Sequence, residues 1–207
     1  MIRLNIPVIV EGKYDKARLS GIVDGVILPT DGFAVFNNAE RRALIRRLGS
    51  RGVILLCDSD GGGHLIRSHL RGMLGGIAVY DLYTPAIRGK ERRKAQASRA
   101  GILGVEGVPN DILEGIFRAF IAEHPEFDAD ADTSPSPDRP PRAPVTSALL
   151  YDLGLNGQPD SAARRSRAAE ALGLPPGMSA KAFREAADLI ADGETLRQLV
   201  REAEDSE

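Results

Sequence analysis

Three acidic side chains stand where two apolar segments of the sequence end. Glu11 follows IPVIV, and Asp58 and Asp60 follow GVILLC. Because alternate residues of an extended segment point to the same side, Asp58 and Asp60 can face one site while Ser59 points away. Carboxylates this close repel one another unless a cation lies between them. Magnesium is suited to a few carboxylates plus substrate phosphate oxygens. The spacing therefore predicts a magnesium site of Glu11, Asp58 and Asp60, provided that the two segments are neighbours.

The residues around these carboxylates are typical of a phosphate site. Gly61–Gly63 leave backbone N–H groups accessible where a helical pattern begins, and the helix dipole there favours an anion. Lys13 follows Glu11 closely, and Asp31–Gly32 supplies a turn after a second apolar segment. The chemistry predicted is metal-assisted phosphodiester hydrolysis or phosphoryl transfer. A simpler interpretation remains open, in which the glycines form a tight turn and the aspartates cap a helix.

Composition limits the class of protein. The chain has 207 residues, 43% of them hydrophobic, and one cysteine, Cys57, which excludes an intrachain disulfide framework. No apolar run approaches the roughly 20 residues of a membrane span, so we expect a cytoplasmic protein with no membrane partner. The net charge is −2, and a polyanion would have to be held by local basic patches. The most basic of these, residues 88–99, contains the candidate contacts Arg92, Arg93 and Lys94.

The elements that must position these residues follow from periodicity. Continuous apolar segments predict buried strands at residues 6–10, 25–29, 52–57 and 77–83. Helical patterns lie between and after them, at residues 14–23, 37–50, 64–74 and 109–124. This alternation predicts an α/β fold, a parallel sheet flanked by helices. A Pro/Asp-rich linker at 125–144 then separates residues 1–124 from a small all-helical domain at 145–207.

The aspartate segment also fits another kind of enzyme. VILLCDSDG resembles the first motif of haloacid-dehalogenase-type phosphatases, with Asp58 as nucleophile and Asp60 as acid/base. Thr84 could mimic that family's second motif. No paired acidic motif follows on a later strand, however, and Glu11–Gly12 stays unexplained. An EF-hand loop fails, because Gly62 and His69 stand where it needs acidic or amide ligands.

Three segments of the sequence form a recognisable set: VEGKYD, PTDG and RGVILLCDSDGGGHLIR, followed by a GVE element and by the helical stretch LLYDLGLNGQPDSAARRSRAAEALGL. Together they resemble the Toprim domain of primases, topoisomerases and some nucleases, and most closely the ribonuclease M5 family. The resemblance covers nearly the whole chain except the acidic linker. The positions that match the family's motifs are Glu11, Gly12, Asp15, Asp58, Asp60, Gly63, Ile66, Arg67, Gly104, Val105 and Glu106.

The resemblance implies a Toprim-type catalytic domain with a helical, RNA-binding C-terminal domain. It implies that Glu11, Asp58 and Asp60 coordinate Mg²⁺ and carry catalysis, with Glu11 also serving in acid/base chemistry. The implied activity is endonucleolytic cleavage of double-stranded regions of 5S rRNA precursor, with a 5S-binding ribosomal protein as a helper. Duplex RNA is read mainly by shape, through phosphates and 2′-hydroxyls, which suits arginine and lysine patches.

Three positions depart from the family pattern. His64 stands where the family has a glutamate, Asp31 where it has an asparagine, and Gly107 where it has a histidine. His64 can be read as a further metal ligand or as a surface position of a helix. Three other functions stay open: the phosphatase, a non-catalytic RNA-binding Toprim protein, and a nuclease that acts on DNA.

Overall fold

The computed structural model describes residues 1–30, 39–58, 61–89, 101–130 and 143–204. They form two units, Met1–Ala131 and Asp132–Glu207. The elements of the first unit are β1 (Ile2–Arg3), β2 (Val8–Val10), α1 (Lys13–Leu19), β3 (Val23–Asp24), β4 (Ile27–Pro29), α2 (Ala39–Leu48), β5 (Val53–Leu56), α3 (Gly61–Met73), β6 (Val79–Leu82) and α4 (Asn110–Glu123), with 3-10 turns at Val105–Gly107 and Pro125–Phe127.

A four-stranded parallel sheet forms the centre of the first unit. Its strand order is β4-β2-β5-β6. The predicted parallel α/β sheet is thus confirmed, and so is the condition that β2 and β5 are neighbours, with Val10 paired to Leu56. Each strand is shorter than its apolar segment, because the pairing ends before the segment does.

Alternation along the strands divides the core between the two faces of the sheet. On β5, Ile54 and Leu56 pack in the cluster that contains α1 and α4 residues, among them Phe117. Val53 and Leu55 pack instead with Ile66 and the rest of the α2 and α3 cluster. Because both faces are covered, all four β5 residues are fully buried. Cys57 lies in the second cluster, where burial raises the pKa of its thiol to about 12.

The first unit extends beyond the boundary that composition suggests. Phe127 is buried in the core, and Leu4 forms an antiparallel bridge with Asp128. The side chain of Arg3 also binds Asp130 at 2.9 Å. The structure therefore places residues 125–130, which we assigned to the linker, in the first unit. Residues 131–142 of that linker lie outside the described residues.

The second unit is helical, as predicted. Its helices are α5 (Ser147–Asp152), α6 (Ser161–Ala171), α7 (Ala180–Ile190) and α8 (Gly193–Glu204). Thr146 and Ser179 cap α5 and α7 with their side-chain oxygens, and Phe183 is fully buried between the helices. Among the helices that the structure describes in either unit, none is long and apolar enough to cross a membrane.

Candidate functional site at the carboxyl edge of the sheet

The pairing of β2 with β5 brings Glu11 and Asp58 together at the carboxyl ends of their strands. Glu11 Oε1 accepts a hydrogen bond of 2.7 Å from the backbone N–H of Asp58. On the other side, the hydroxyl of Thr30, which follows β4, donates to the backbone carbonyl of Glu11 at 3.0 Å. Both acidic residues are half-buried. Three neighbouring strand ends thus fix Glu11 and Asp58 relative to each other.

A segment distant in sequence completes the surroundings of Asp58. The backbone N–H of Val105 donates to Asp58 Oδ1 at 2.8 Å. A Cβ atom on Gly104 would lie 2.8 Å from Asp58 Cγ and overlap the carboxylate. A Cβ on Gly63 would lie 2.8 Å from Glu11 Oε1 and overlap the Asp58 carbonyl oxygen. Glycine at both positions is required by close approach to the carboxylates rather than by a turn.

Asp15 is a buried acidic residue beside the same site. The residue is 9% exposed, and its Oδ2 accepts the backbone N–H of Gly12 at 3.0 Å. Burial raises the pKa of Asp15 to about 6, with Asp58 and Glu106 also raising it, while backbone N–H groups of Gly12 and Glu106 lower it. Asp15 therefore holds the chain between β2 and α1 against the 3-10 turn that carries Glu106. Its predicted role in substrate binding stays a prediction.

Arg67 is buried beneath the same sheet edge, at 4% exposure. Its guanidinium donates to the carbonyl oxygens of Leu55, Cys57 and Leu82 at 3.2, 3.0 and 2.7 Å and to Asp81 Oδ1 at 2.8 Å. These contacts tie the end of β5 to the end of β6. The position of Arg67 is thus accounted for without a substrate, and its predicted contact with substrate stays untested.

The remaining predicted residues are exposed or lie outside the described residues. Lys13 is exposed, with Nζ 5.2 Å from the centre of the Tyr14 ring. His64 is also exposed on α3. Gly89 and Gly101 flank the basic segment and are joined by a backbone hydrogen bond of 3.1 Å. The candidates outside the described residues are Asp31, Gly32, Asp60, Arg92, Arg93 and Lys94.

Sequence reasoning alone did not assign a function to the Val105 N–H group. The family resemblance marked the GVE element, but it gave no reason for its importance. The structure supplies that reason, because this element delivers one N–H group to Asp58 and the next to Asp15. No local pattern encodes this contact, since 47 residues separate Asp58 from Val105.

The carboxylates fit a hard cation. Glu11 and Asp58 supply oxygen donors at adjacent strand ends, and each carboxylate has about four lone-pair positions, so accepting one N–H does not prevent coordination. Within the described ranges, no three His, Cys, Asp or Glu residues are grouped to hold a metal ion. The third predicted ligand, Asp60, lies outside those ranges. The described part of the site thus contains two of the three predicted ligands, Glu11 and Asp58, next to each other.

Comparisons with known proteins find similarity only among solved structures. No family model matches the chain, and no curated protein matches it. Among solved structures, the chain is similar to a small TOPRIM domain protein from Bacillus stearothermophilus, with 25% sequence identity and a TM-score of 0.40. The similarity covers 62% of this chain and 94% of that chain. At this TM-score the two backbones agree only in part.

Proposed function

We propose that this chain is a Toprim-type, magnesium-dependent endoribonuclease that cleaves double-stranded regions of 5S rRNA precursor. The observation that supports the proposal best is the hydrogen bond from the Asp58 N–H to Glu11 Oε1. It places the acidic residue of the EG motif against the first aspartate of the DxD motif. A phosphatase that used Asp58 alone would give Glu11 no catalytic role.

The described residues suggest how the reaction is arranged. Mg²⁺ held by Glu11, Asp58 and Asp60 would polarise the scissile phosphate and promote ionisation of an attacking water. The Val105 N–H fixes Asp58 Oδ1, so this carboxylate is oriented before substrate binds. Since Glu11 Oε1 accepts the Asp58 N–H, we assign proton transfer to Glu11 Oε2. Gly63 and Gly104 allow their backbone segments to approach the two carboxylates closely, because a Cβ at either position would overlap the site.

The choice of RNA comes from the resemblance to the ribonuclease M5 family, and the distribution of charge favours a polyanion. The segment 90–100 contains five basic residues and one acidic residue. Its flanks are joined at Gly89 and Gly101, close in sequence to Val105, which binds Asp58. The helical unit has seven basic and nine acidic residues between 143 and 204, so it would bind RNA through locally placed arginines such as Arg164 and Arg167. Recognition through phosphate groups suits duplex RNA, which proteins contact mainly at the backbone.

The specific substrate is tested with purified full-length chain and magnesium. We expect the chain to cut a 5S rRNA precursor at defined positions when a 5S-binding ribosomal protein is present. Competition between duplex RNA and duplex DNA of the same sequence identifies the class of nucleic acid. Preferential cleavage of DNA, or RNA binding with no cleavage under any of these conditions, would contradict the proposal. Hydrolysis of small phosphomonoesters that is lost in Asp58→Asn but kept in Glu11→Gln would instead indicate the phosphatase.

A further inference from the structure

Tyr83 lies at the same sheet edge as the carboxylates and has an exposed ring. It directly follows β6, and the pairing of Leu56 with Leu82 places it level with Cys57, one residue before Asp58. Adjacent strands lie about 4.8 Å apart, so this tyrosine belongs to the strand end next to the site. The residue is 52% exposed, while its neighbour Thr84 is buried at 4%.

One face of the Tyr83 ring rests on a buried cation. The guanidinium carbon of Arg67 lies 4.1 Å from the ring centre. Arg67 is itself fixed by hydrogen bonds to three backbone carbonyls and to Asp81. A cation beneath the ring attracts its π face, and a cation that cannot move restrains the ring in one orientation. The ring is therefore preorganised, and its ordering cost is met before any ligand binds.

We propose that Tyr83 is a stacking platform for an unpaired nucleobase of the RNA, next to the phosphate that is cut. A planar aromatic ring that is supported on one face by Arg67, in a residue that is 52% exposed, suits a planar base, and stacking accepts any base. Arg71 lies beside the platform: it binds Asp81 and is 54% exposed, so a backbone phosphate of the same nucleotide can approach it. This inference rests on the proposed function and narrows its substrate to duplex RNA that presents an unpaired or extruded nucleotide at the cleavage point.

The test measures binding in the absence of divalent metal, so that no cleavage occurs. The probes are two hairpin RNAs that differ only in one unpaired 2-aminopurine within the stem. For the full-length wild-type chain we expect tighter binding to the hairpin with the unpaired base, together with quenching of 2-aminopurine fluorescence. Loss of one base–aromatic stack weakens binding by about 5-fold to 150-fold, so Tyr83→Leu is expected to lose this preference. Tyr83→Phe, which keeps the ring, is expected to retain it within about twofold.

Two further variants separate stacking from general damage. Tyr151→Leu makes the same change at a tyrosine of the helical unit that is 57% exposed, and we expect its preference ratio to equal that of wild type. Arg67→Met removes the support of the ring and is expected to reduce quenching. An unchanged preference and unchanged quenching in Tyr83→Leu would overturn the platform while leaving the nuclease proposal intact. Absence of RNA binding by wild type would overturn both the platform and the nuclease proposal. An assay of magnesium-dependent cleavage tells the two outcomes apart, because failure of the platform alone leaves cleavage intact.

Discussion

At the scale of single residues, backbone N–H groups position the acidic side chains of this site. Glu11 accepts the N–H of Asp58, and Asp58 accepts the N–H of Val105. The meeting of Glu11 with Asp58 could be predicted from sequence, because both follow apolar strands and parallel strands end at one edge. The contact with Val105 could not, since it depends on where a chain segment of irregular structure lies in the fold.

Gly63→Ala tests the close approach of α3 to the carboxylates. The added methyl group would overlap the Asp58 carbonyl and crowd Glu11 Oε1, so we expect a loss of about 1–3 kcal/mol in the free energy of unfolding. Gly72→Ala is the matched control, because Gly72 lies on the same helix and a Cβ there would meet nothing within 4 Å. It should be neutral or stabilise by up to about 1 kcal/mol. Urea denaturation measures the free energy of unfolding of both variants. Equal effects of the two substitutions would refute the close approach of α3 to the carboxylates.

Asp15 predicts a pH dependence of stability. Its pKa is raised from 3.8 to about 6, chiefly by burial, so the folded state keeps the proton over a range in which the unfolded state has lost it. The stabilisation that protonated Asp15 gives to the folded state is fully present below pH 3.8 and is lost as the pH rises through about 6. Relative to Asp15→Asn, the free energy of unfolding of wild type should fall by up to about 3 kcal/mol across this range. If the free energies of unfolding of wild type and Asp15→Asn changed in parallel with pH, this prediction would be wrong.

At the scale of elements, Arg67 couples α3 to the carboxyl ends of β5 and β6. Continuous apolar segments predicted these strands, and the helical patterns between them predicted the neighbouring helices, because a parallel sheet is covered on both faces. The same patterns could not predict a buried arginine, which sits between Ile66 and Leu70 on the inner face of α3. They also missed the pairing of β1 with β3, since strands of two residues are too short to show periodicity.

Replacing Arg67 should weaken this junction. Arg67→Met leaves Asp81 without its buried partner and three carbonyl oxygens without a donor, so we expect a loss of about 3 kcal/mol in the free energy of unfolding. Arg71→Met, on the same helix, removes only an exposed partner of Asp81 and should cost less than about 1 kcal/mol. Thermal and urea denaturation of both variants measure the difference. A loss in Arg71→Met as large as in Arg67→Met would contradict the distinction.

At the scale of the whole molecule, the chain consists of two units whose boundary lies beyond the one that composition suggests. The Pro/Asp-rich composition begins near residue 125, but Phe127 fills the core and Asp128 pairs with Leu4. Composition reports the average polarity of a segment and does not reveal that one aromatic side chain within it is buried. The helical character of the second unit was predictable, because its apolar residues recur at helical spacing.

Truncation tests this boundary directly. A fragment ending at residue 131 keeps Phe127 and the Leu4–Asp128 bridge, whereas one ending at residue 124 loses both. Removal of a buried phenylalanine side chain costs about 3–5 kcal/mol, so the shorter fragment should be less stable by at least this amount. Chemical denaturation of the two fragments gives the comparison. Equal stability would show that residues 125–131 contribute nothing to the first unit.

The central claim is that the carboxylates at the sheet edge carry out metal-dependent cleavage. The rate of RNA cleavage as a function of magnesium concentration tests this claim most directly. Wild type should cut the 5S precursor only with magnesium, and Asp58→Asn should lower the rate by at least about 100-fold. Asp152→Asn, the same substitution at an exposed position of α5, should leave it unchanged. Cleavage without magnesium, or an Asp58→Asn rate equal to that of wild type, would contradict the claim.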